Sequence, residues 1–403
     1  LLLHARFIRR HLEYETARGN HYLANVVGLL IVAGVFAGSD EGQGWIRWAV
    51  HELGRELKHQ VRDDGCDHEA STSYHRLVAE LFIIGADAAD TLLPGSLDPL
   101  VRRRIDQMLG FVADYTRPDG LAPQIGDVDD GRLLPLGDYG AADQRSHMHL
   151  FTQADRRFEP AARSAAYRSG GFYVLRARNL YAAVRCGDVG MYGRGCHAHN
   201  DLLAFELCCG PTPLIIDPGS YVYTADPAER NRFRSTAMHS TLTVDGAEQN
   251  ELRPDRLFAM VDRARAEALA WEVEAEVTTF RGRHFGFSGL ASPAVHTRTL
   301  RLDGGRSRLE ILDEVESDGP HELSWSFPLA PSTVRVIEHG VEARFSTLTL
   351  RITGRGLDPE VGSGWLSPSY GVRHEAPLVR LTARSQPGPH RHQLSLEIVE
   401  NHT

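Results

Sequence analysis

The feature that most constrains this chain is a change of hydrophobic period near Gly171. Before it, apolar residues recur at helical spacing; after it, they alternate with polar ones. "GWIRWAVHELGRELKHQV" sets Trp45, Trp48, Ala49, Leu53, Leu57 and Val61 at helical spacing, and "ANVVGLLIVAGVFAG" is apolar almost all round, as in a buried helix. "STSYHRLVAELFIIGADAAD" and "DPLVRRRIDQMLGFVADY" each follow a turn signal, with Ser71 or Thr72 and Asp98 as caps. The spacing predicts about five helices up to residue 117, stacked as antiparallel hairpins. Beyond Gly171, "GFYVLRARNLYAAVRC", "STLTVDG", "HTRTLRLDGGRSRLEILDEV", "HELSWSFPLA" and "STLTLRITG" alternate, with turn residues between them. Many short strands without intervening helices predict a large antiparallel β-sandwich. The expected class is α+β multidomain, helical over residues 1–160 and sandwich over 161–403, with 153–170 read as the linker.

Composition removes several function classes. A net charge of −9 does not favour nucleic acid as a partner. The most apolar run, Val26 to Phe36, is too short to span a bilayer and contains Gly28 and Gly34. Five cysteines at irregular spacing, with no CxxC, do not form a disulfide framework. The chain opens "LLLHARFIRRHLEYE", without Met or a charged-then-apolar leader. It reads as a start inside a helix, so a fragment is expected. A periplasmic or secreted location follows if a lost segment carried a signal, and a cytoplasmic one otherwise. Oligomeric state is not legible.

Three clusters carry possible chemistry. Asn20 and His21 open a helix after Gly19, and alone Asn20 reads first as an N-cap. Tyr74, His75 and Arg76 lie in "DGCDHEASTSYHR", where a helical tyrosine is usually packing with a wet hydroxyl. The third cluster is "GRGCHAHNDLLAFE". It is a polar turn before a strand, or a metal ligand and a proton-transfer group side by side. His197 and His199, then Asp217 after an apolar strand and His239 at the head of another, supply nitrogen ligands and a carboxylate of the kind zinc takes. The acidic run Asp127 to Gly131 lacks EF-hand spacing and reads as a turn. "AERNRFRSTAMH" carries Arg230, Arg232 and Arg234, either a solvated loop or forked donors for substrate carboxylates. Tyr221 and Tyr223 line the same cleft or are buried strand residues.

Taken together, "GNHYLANVVGLL", "HEASTSYHRLVAEL", "RPDGLAPQIGDVDDGRLLPL", "GCHAHNDLLAFEL", "LIIDPGSYVY" and "RNRFRSTAMHSTLTVDG" resemble the heparinase II/III-like polysaccharide lyases, which include alginate and oligoalginate lyases. The motifs span about residues 18–246; from about 250 on, only the β character matches. The resemblance implies an (α/α) toroid, here short of a full circle, followed by an antiparallel β-sandwich with the active site between them. It implies β-elimination on a 4-linked, acidic uronic-acid polysaccharide. Asn20 would neutralise the uronate carboxylate, and Tyr74 would be general acid, or acid and base together. His21 and His197 would be base or stabiliser. His199, Asp217 and His239 would hold a zinc ion, expected to be structural. Arg76, Tyr221, Tyr223, Arg230 and Arg234 would contact substrate. One departure is Ala24, where some members carry glutamate.

Two rival readings follow from the same residues. A glycoside hydrolase needs two carboxylates flanking the bond, for which Glu69 and Asp201 are the loose candidates. A non-catalytic polysaccharide-binding protein of a capsule or exopolysaccharide system would use the fold without turnover.

Overall fold

The computed structural model describes residues 1–134 and 143–401; Pro135 and Leu136, at the end of the "RPDG" motif, lie outside them. Six helices come first: α1 (Leu2–Arg10), α2 (Asn20–Val35), α3 (Asp40–Gln60), α4 (Thr72–Leu92), α5 (Pro99–Tyr115) and the short α6 (His149–Gln153). The caps predicted for α4 and α5 are the observed ones. Ser71 Oγ accepts from Tyr74 N–H at 3.1 Å, and Asp98 accepts from Leu100 N–H at 2.9 Å with Pro99 in the first turn.

The strands form three antiparallel sheets. The first has the order β1-β2-β3-β4-β5: Ala165–Tyr167, Phe172–Ala177, Leu180–Arg185, Phe205–Cys209 and Thr212–Ile215. β1 falls inside the expected linker. A short helix, α7 (Pro227–Phe233), precedes β6 (Leu242–Val244). The remaining strands are β7 (Glu267–Val273), β8 (Val277–His284), β9 (Ala294–Asp303), β10 (Arg308–Ser317), β11 (His321–Pro328), β12 (Thr333–Ile337), β13 (Gly340–Arg344), β14 (Leu348–Gly354), β15 (Asp358–Ser369), β16 (Val372–Ser385) and β17 (His390–Glu400). They make an eight-stranded sheet, β12-β13-β14-β17-β10-β9-β8-β7, and a four-stranded one, β15-β16-β11-β6.

The first sheet joins the two halves because both its faces are buried. Phe172, Val174, Tyr181 and Ala183 pack with the helical residues Leu23, Phe82 and Phe111. Their neighbours Tyr173, Leu175, Ala182 and Val184 pack with Phe280, Leu300 and Trp325 of the other sheets. That is why β3 is buried at every position, whereas β10, with one face outward, alternates buried and half-buried. Arg117, just after α5, pairs with Glu206 on β4 at 2.8 Å, and Gln124 N–H donates to the same carboxylate at 2.8 Å. The loop that reaches the site is thereby fixed to the sheet.

Candidate active site

Three segments meet at the N-terminus of α4: the entry to α2, residues 122–131, and the 190–201 loop before β4. Ser71, the α4 cap, donates its hydroxyl to the Asp127 carbonyl at 2.6 Å. Ser73 Oγ bonds the Asp129 carbonyl at 2.6 Å, and Asp127 N–H bonds the His197 carbonyl at 2.8 Å. Gly126 permits this approach. Its φ is +72°, and a Cβ there would sit 2.7 Å from the Ala70 carbonyl and 2.9 Å from that of His197.

These segments enclose a cleft of about 500 Å³ whose lining includes Asn20, His21, Tyr74, His197, Tyr223 and Phe258. The His197 ring lies flat on Tyr74, with centroids 3.5 Å apart and planes 19° from parallel. The Tyr74 hydroxyl is 3.5 Å from that of Tyr223. Burial, reinforced by the Asp127 and Asp129 carboxylates, pushes the Tyr74 phenol well up, so it is protonated at neutral pH. Each ring nitrogen of His197 faces a carboxylate: Nδ1 is 2.9 Å from Asp127 Oδ2 and Nε2 is 3.3 Å from Glu69 Oε2. Glu69 is fully buried and also accepts from Asn20, from its backbone N–H at 2.7 Å and its side-chain amide at 2.8 Å. A Cβ on Gly19 would lie 2.5 Å from Glu69 Oε1, so glycine leaves room for that carboxylate. Asn20 is therefore not the N-cap, a position Gly19 occupies; its amide is turned to Glu69 and the cleft.

Beneath the cleft lie His199, Asp217 and His239, all buried, with one ligand atom from each within 4.8 Å of the others. His199 Nε2–H donates to Asp127 Oδ1 at 2.9 Å and His239 Nδ1–H to Asp217 Oδ2 at 3.0 Å. Their other nitrogens, His199 Nδ1 and His239 Nε2, are buried without a hydrogen-bond partner. Burial lowers the His199 pKa to about 4, keeping the imidazole neutral as a ligand must be. Two unsatisfied imidazole nitrogens beside a carboxylate fit a tetrahedral zinc ion.

The family described as Heparinase II/III-like, C-terminal, matches residues 159–397, and the Heparinase II/III N-terminus matches residues 1–134. The chain belongs to the heparinase II/III-like family. It is similar to a heparin-sulfate lyase of Bacteroides stercoris, 25% identical over 387 residues, covering 89% of this chain and 54% of that one. A heparin-sulfate lyase of Pedobacter heparinus is 26% identical over 242 residues, covering 57% of this chain and 36% of that one. The chain thus spans about half the length, or less, of these relatives. The crystal structure of the heparan sulfate lyase of Pedobacter heparinus shares the fold, with a TM-score of 0.78, 19% identity, and coverage of 100% of this chain and 63% of that one.

Of the residues that the heparinase II/III-like resemblance implied, the structure brings Asn20, Tyr74, His197 and Tyr223 to one cleft. His21 sits at its mouth, largely exposed and 2.8 Å from Glu13. Four expected substrate contacts are corrected. Arg76, Arg230 and Arg234 are fully buried and line no part of the cleft. A buried guanidinium must find acceptors inside the protein, and each does. Arg76 bonds the carbonyls of Gly131 and Asp129. Arg230 forks onto Asp127, with its Nη2 2.6 Å from Oδ2. Arg234 bonds the carbonyls of Leu257 and Ala198. Tyr221, held at φ +58°, packs on Phe233 under Arg373 and does not line the cleft. Asp127 is the residue that sequence reasoning passed over. It is fully buried, and Arg230 and the two histidines outweigh its burial, holding its carboxyl well below the usual range.

Proposed function

We propose that this chain carries the catalytic centre of a polysaccharide lyase that cleaves a 4-linked uronide by β-elimination. The observation that supports it most is the pairing of a protonated, buried phenol with an imidazole stacked flat upon it, beside the Asn20 amide, in one cleft. Elimination removes the C5 proton, forms the C4–C5 double bond and breaks C4–O4, whose oxygen must be protonated as it leaves. Charge grows on the uronate carboxylate in the transition state, so donors placed there act where they lower the barrier. Asn20 has one amide N–H on Glu69 and a second for that carboxylate. Tyr74 supplies the proton to O4 as general acid. His197 lies between Asp127 and Glu69, with Nδ1 2.9 Å from the first and Nε2 3.3 Å from the second, and its ring flanks the site where negative charge develops. In a same-face elimination Tyr74 gives its phenolic proton to O4 and takes the C5 proton in exchange; in an opposite-face elimination His197 takes the C5 proton on an unprotonated Nε2 turned away from Glu69, while Tyr74 protonates O4. The pH profile of kcat for a Glu69→Gln variant separates the two.

Zinc, held by His199, Asp217 and His239, would supply a fixed positive crosslink under the loop that presents His197. The acid and base steps belong to the side chains above. The hydrolase alternative finds less support. Glu69 is committed to Asn20, and Asp201 lines a separate small cavity with Glu206 and Asp217, where burial pushes its pKa to about 6. The test is ultraviolet absorbance of the new double bond on a panel of uronic-acid polymers. Reducing ends without unsaturation would move the reading to hydrolysis; binding without turnover would move it to a carbohydrate-binding protein.

A further inference from the structure

We propose that Asp127 is the positioning residue that ties the metal-binding side chains to the catalytic histidine. The inference rests on the lyase and zinc readings above and deepens both. One carboxylate serves two imidazoles through its two oxygens: Oδ1 accepts from His199 Nε2–H at 2.9 Å and Oδ2 from His197 Nδ1–H at 2.9 Å. In each case the bond decides the tautomer. With the proton of His199 on Nε2, its lone pair is on Nδ1, the buried atom that lacks a partner and belongs to the group with Asp217 and His239. With Nδ1 of His197 on Asp127, its Nε2 is turned to Glu69 and its face lies on Tyr74.

Asp127 is in turn held on every side. Arg230 forks onto it, and that guanidinium is covered by the rings of Tyr223 at 4.7 Å and Phe258 at 5.0 Å. Its own N–H is on the His197 carbonyl, and its carbonyl accepts from Ser71, the cap of the helix that carries Tyr74. A carboxylate fixed this firmly transmits a change at His199 to His197, a distance of two bonds through one rigid group. A zinc ion on His199 would therefore bear on His197 through Asp127, and without it His199 would be free to turn and Oδ1 less firmly held.

The experiment is a cycle of two perturbations, Asp127→Asn and zinc removal, on the full chain. Asparagine keeps the shape but offers one acceptor where two are needed. The first readout needs no substrate: zinc per chain and the rate of zinc release to a chromophoric chelator. Release from Asp127→Asn is expected to be roughly 10–100 times faster than from wild type, the usual cost of losing a ligand's outer partner. The second readout is kcat and KM on the cleaved polymer. Asp127→Asn is expected to lower kcat about 10–100-fold with KM within about twofold. Zinc removal is expected to lower kcat in the wild type, yet less than about threefold further in the variant, because the two losses share one path. Losses that simply multiply would overturn the proposal, as would wild-type zinc release from Asp127→Asn or a chain that takes up no zinc. If Asp127→Asn does not fold, Arg230→Lys, which keeps the charge but loses the fork, carries the test. Zinc release and kcat must then move together, and movement of one alone overturns the coupling. Failure to find any cleaved polymer would count against the lyase reading, while the chelator arm would still judge the Asp127–His199 link.

Discussion

Replacing Arg230 with methionine is the perturbation with the most calculable result. Both partners of the Arg230–Asp127 pair are fully buried, and the guanidinium makes two charge-assisted bonds to the carboxylate. Methionine fills much of the volume but leaves a buried carboxylate with two histidines as its remaining side-chain donors. Breaking a buried pair from one side costs about 3–5 kcal/mol. Two charged hydrogen bonds at about 1.5–3 kcal/mol each give about 3–6 kcal/mol, which overlaps that range. With a urea m-value of about 3 kcal/mol per molar, the midpoint should fall by about 1–1.7 M at pH 7. The pH dependence has a definite sign. In the wild type the Asp127 carboxyl is held well below its usual range, so its contribution is present above the unfolded pKa of about 3.9 and is lost as pH falls toward the folded value. In Arg230→Met, burial without the guanidinium raises the folded pKa, so the penalty is absent below about pH 3.9 and grows as pH rises through that value. The gap between variant and wild type should therefore be widest at neutral pH and narrow toward pH 4. Urea titrations at several pH values measure it. A loss under about 1 kcal/mol at pH 7, or a gap that does not change with pH, would refute the reasoning.

Other perturbations have equally direct outcomes. Tyr74→Phe keeps the ring stacked on His197 and removes the hydroxyl, so kcat should fall about 10²–10⁴-fold, as for loss of a general acid, while the unfolding midpoint stays within error. Gly126→Ala puts a Cβ 2.7 Å from a backbone carbonyl at φ +72°, so it should cost about 2 kcal/mol or more in urea unfolding and depress kcat, through Asp127, more than KM. Both arginines lining the cleft already face a carboxylate, Arg18 on Glu56 and Arg194 on Glu15, and His21 is 2.8 Å from Glu13. The cleft thus has little net positive field, and kcat/KM on a uronide should fall less than about tenfold between low and physiological salt. A steeper fall would point to cations outside these pairs.

How much of this was readable in advance depended on whether the signal was local. The helices and the α4 and α5 caps follow from spacing and residue type within a single turn. The change to strands at Gly171 was equally local, and the first sheet's unbroken burial follows from its place between two cores. Asp127 was hidden because its partners lie 70, 72 and 103 residues away, and a carboxylate in a Gly-Asp run looks like any acidic turn. The direction of the arginines was legible in part. Arg230 and Arg234 are four apart, on one face of α7 and its end, and that face is buried with Phe233; Arg232, between them, points out with its side chain 47% exposed. Charge in "RNRFR" suggested a substrate loop, but periodicity within it separates two inward anchors from one outward side chain. Taken alone, Asn20 reads as a cap because that rule is local, whereas its partner, Glu69, is 49 residues on.

The central claim is that Tyr74, His197 and Asn20 together perform β-elimination on a uronide. Its most direct test is the ultraviolet absorbance of unsaturated product during incubation with a panel of uronic-acid polymers, alongside Tyr74→Phe and His197→Ala. The account predicts absorbance that grows on at least one polymer and is abolished in both variants, which retain their fold. Growth that survives Tyr74→Phe, or chain cleavage that yields reducing ends without absorbance, would contradict it.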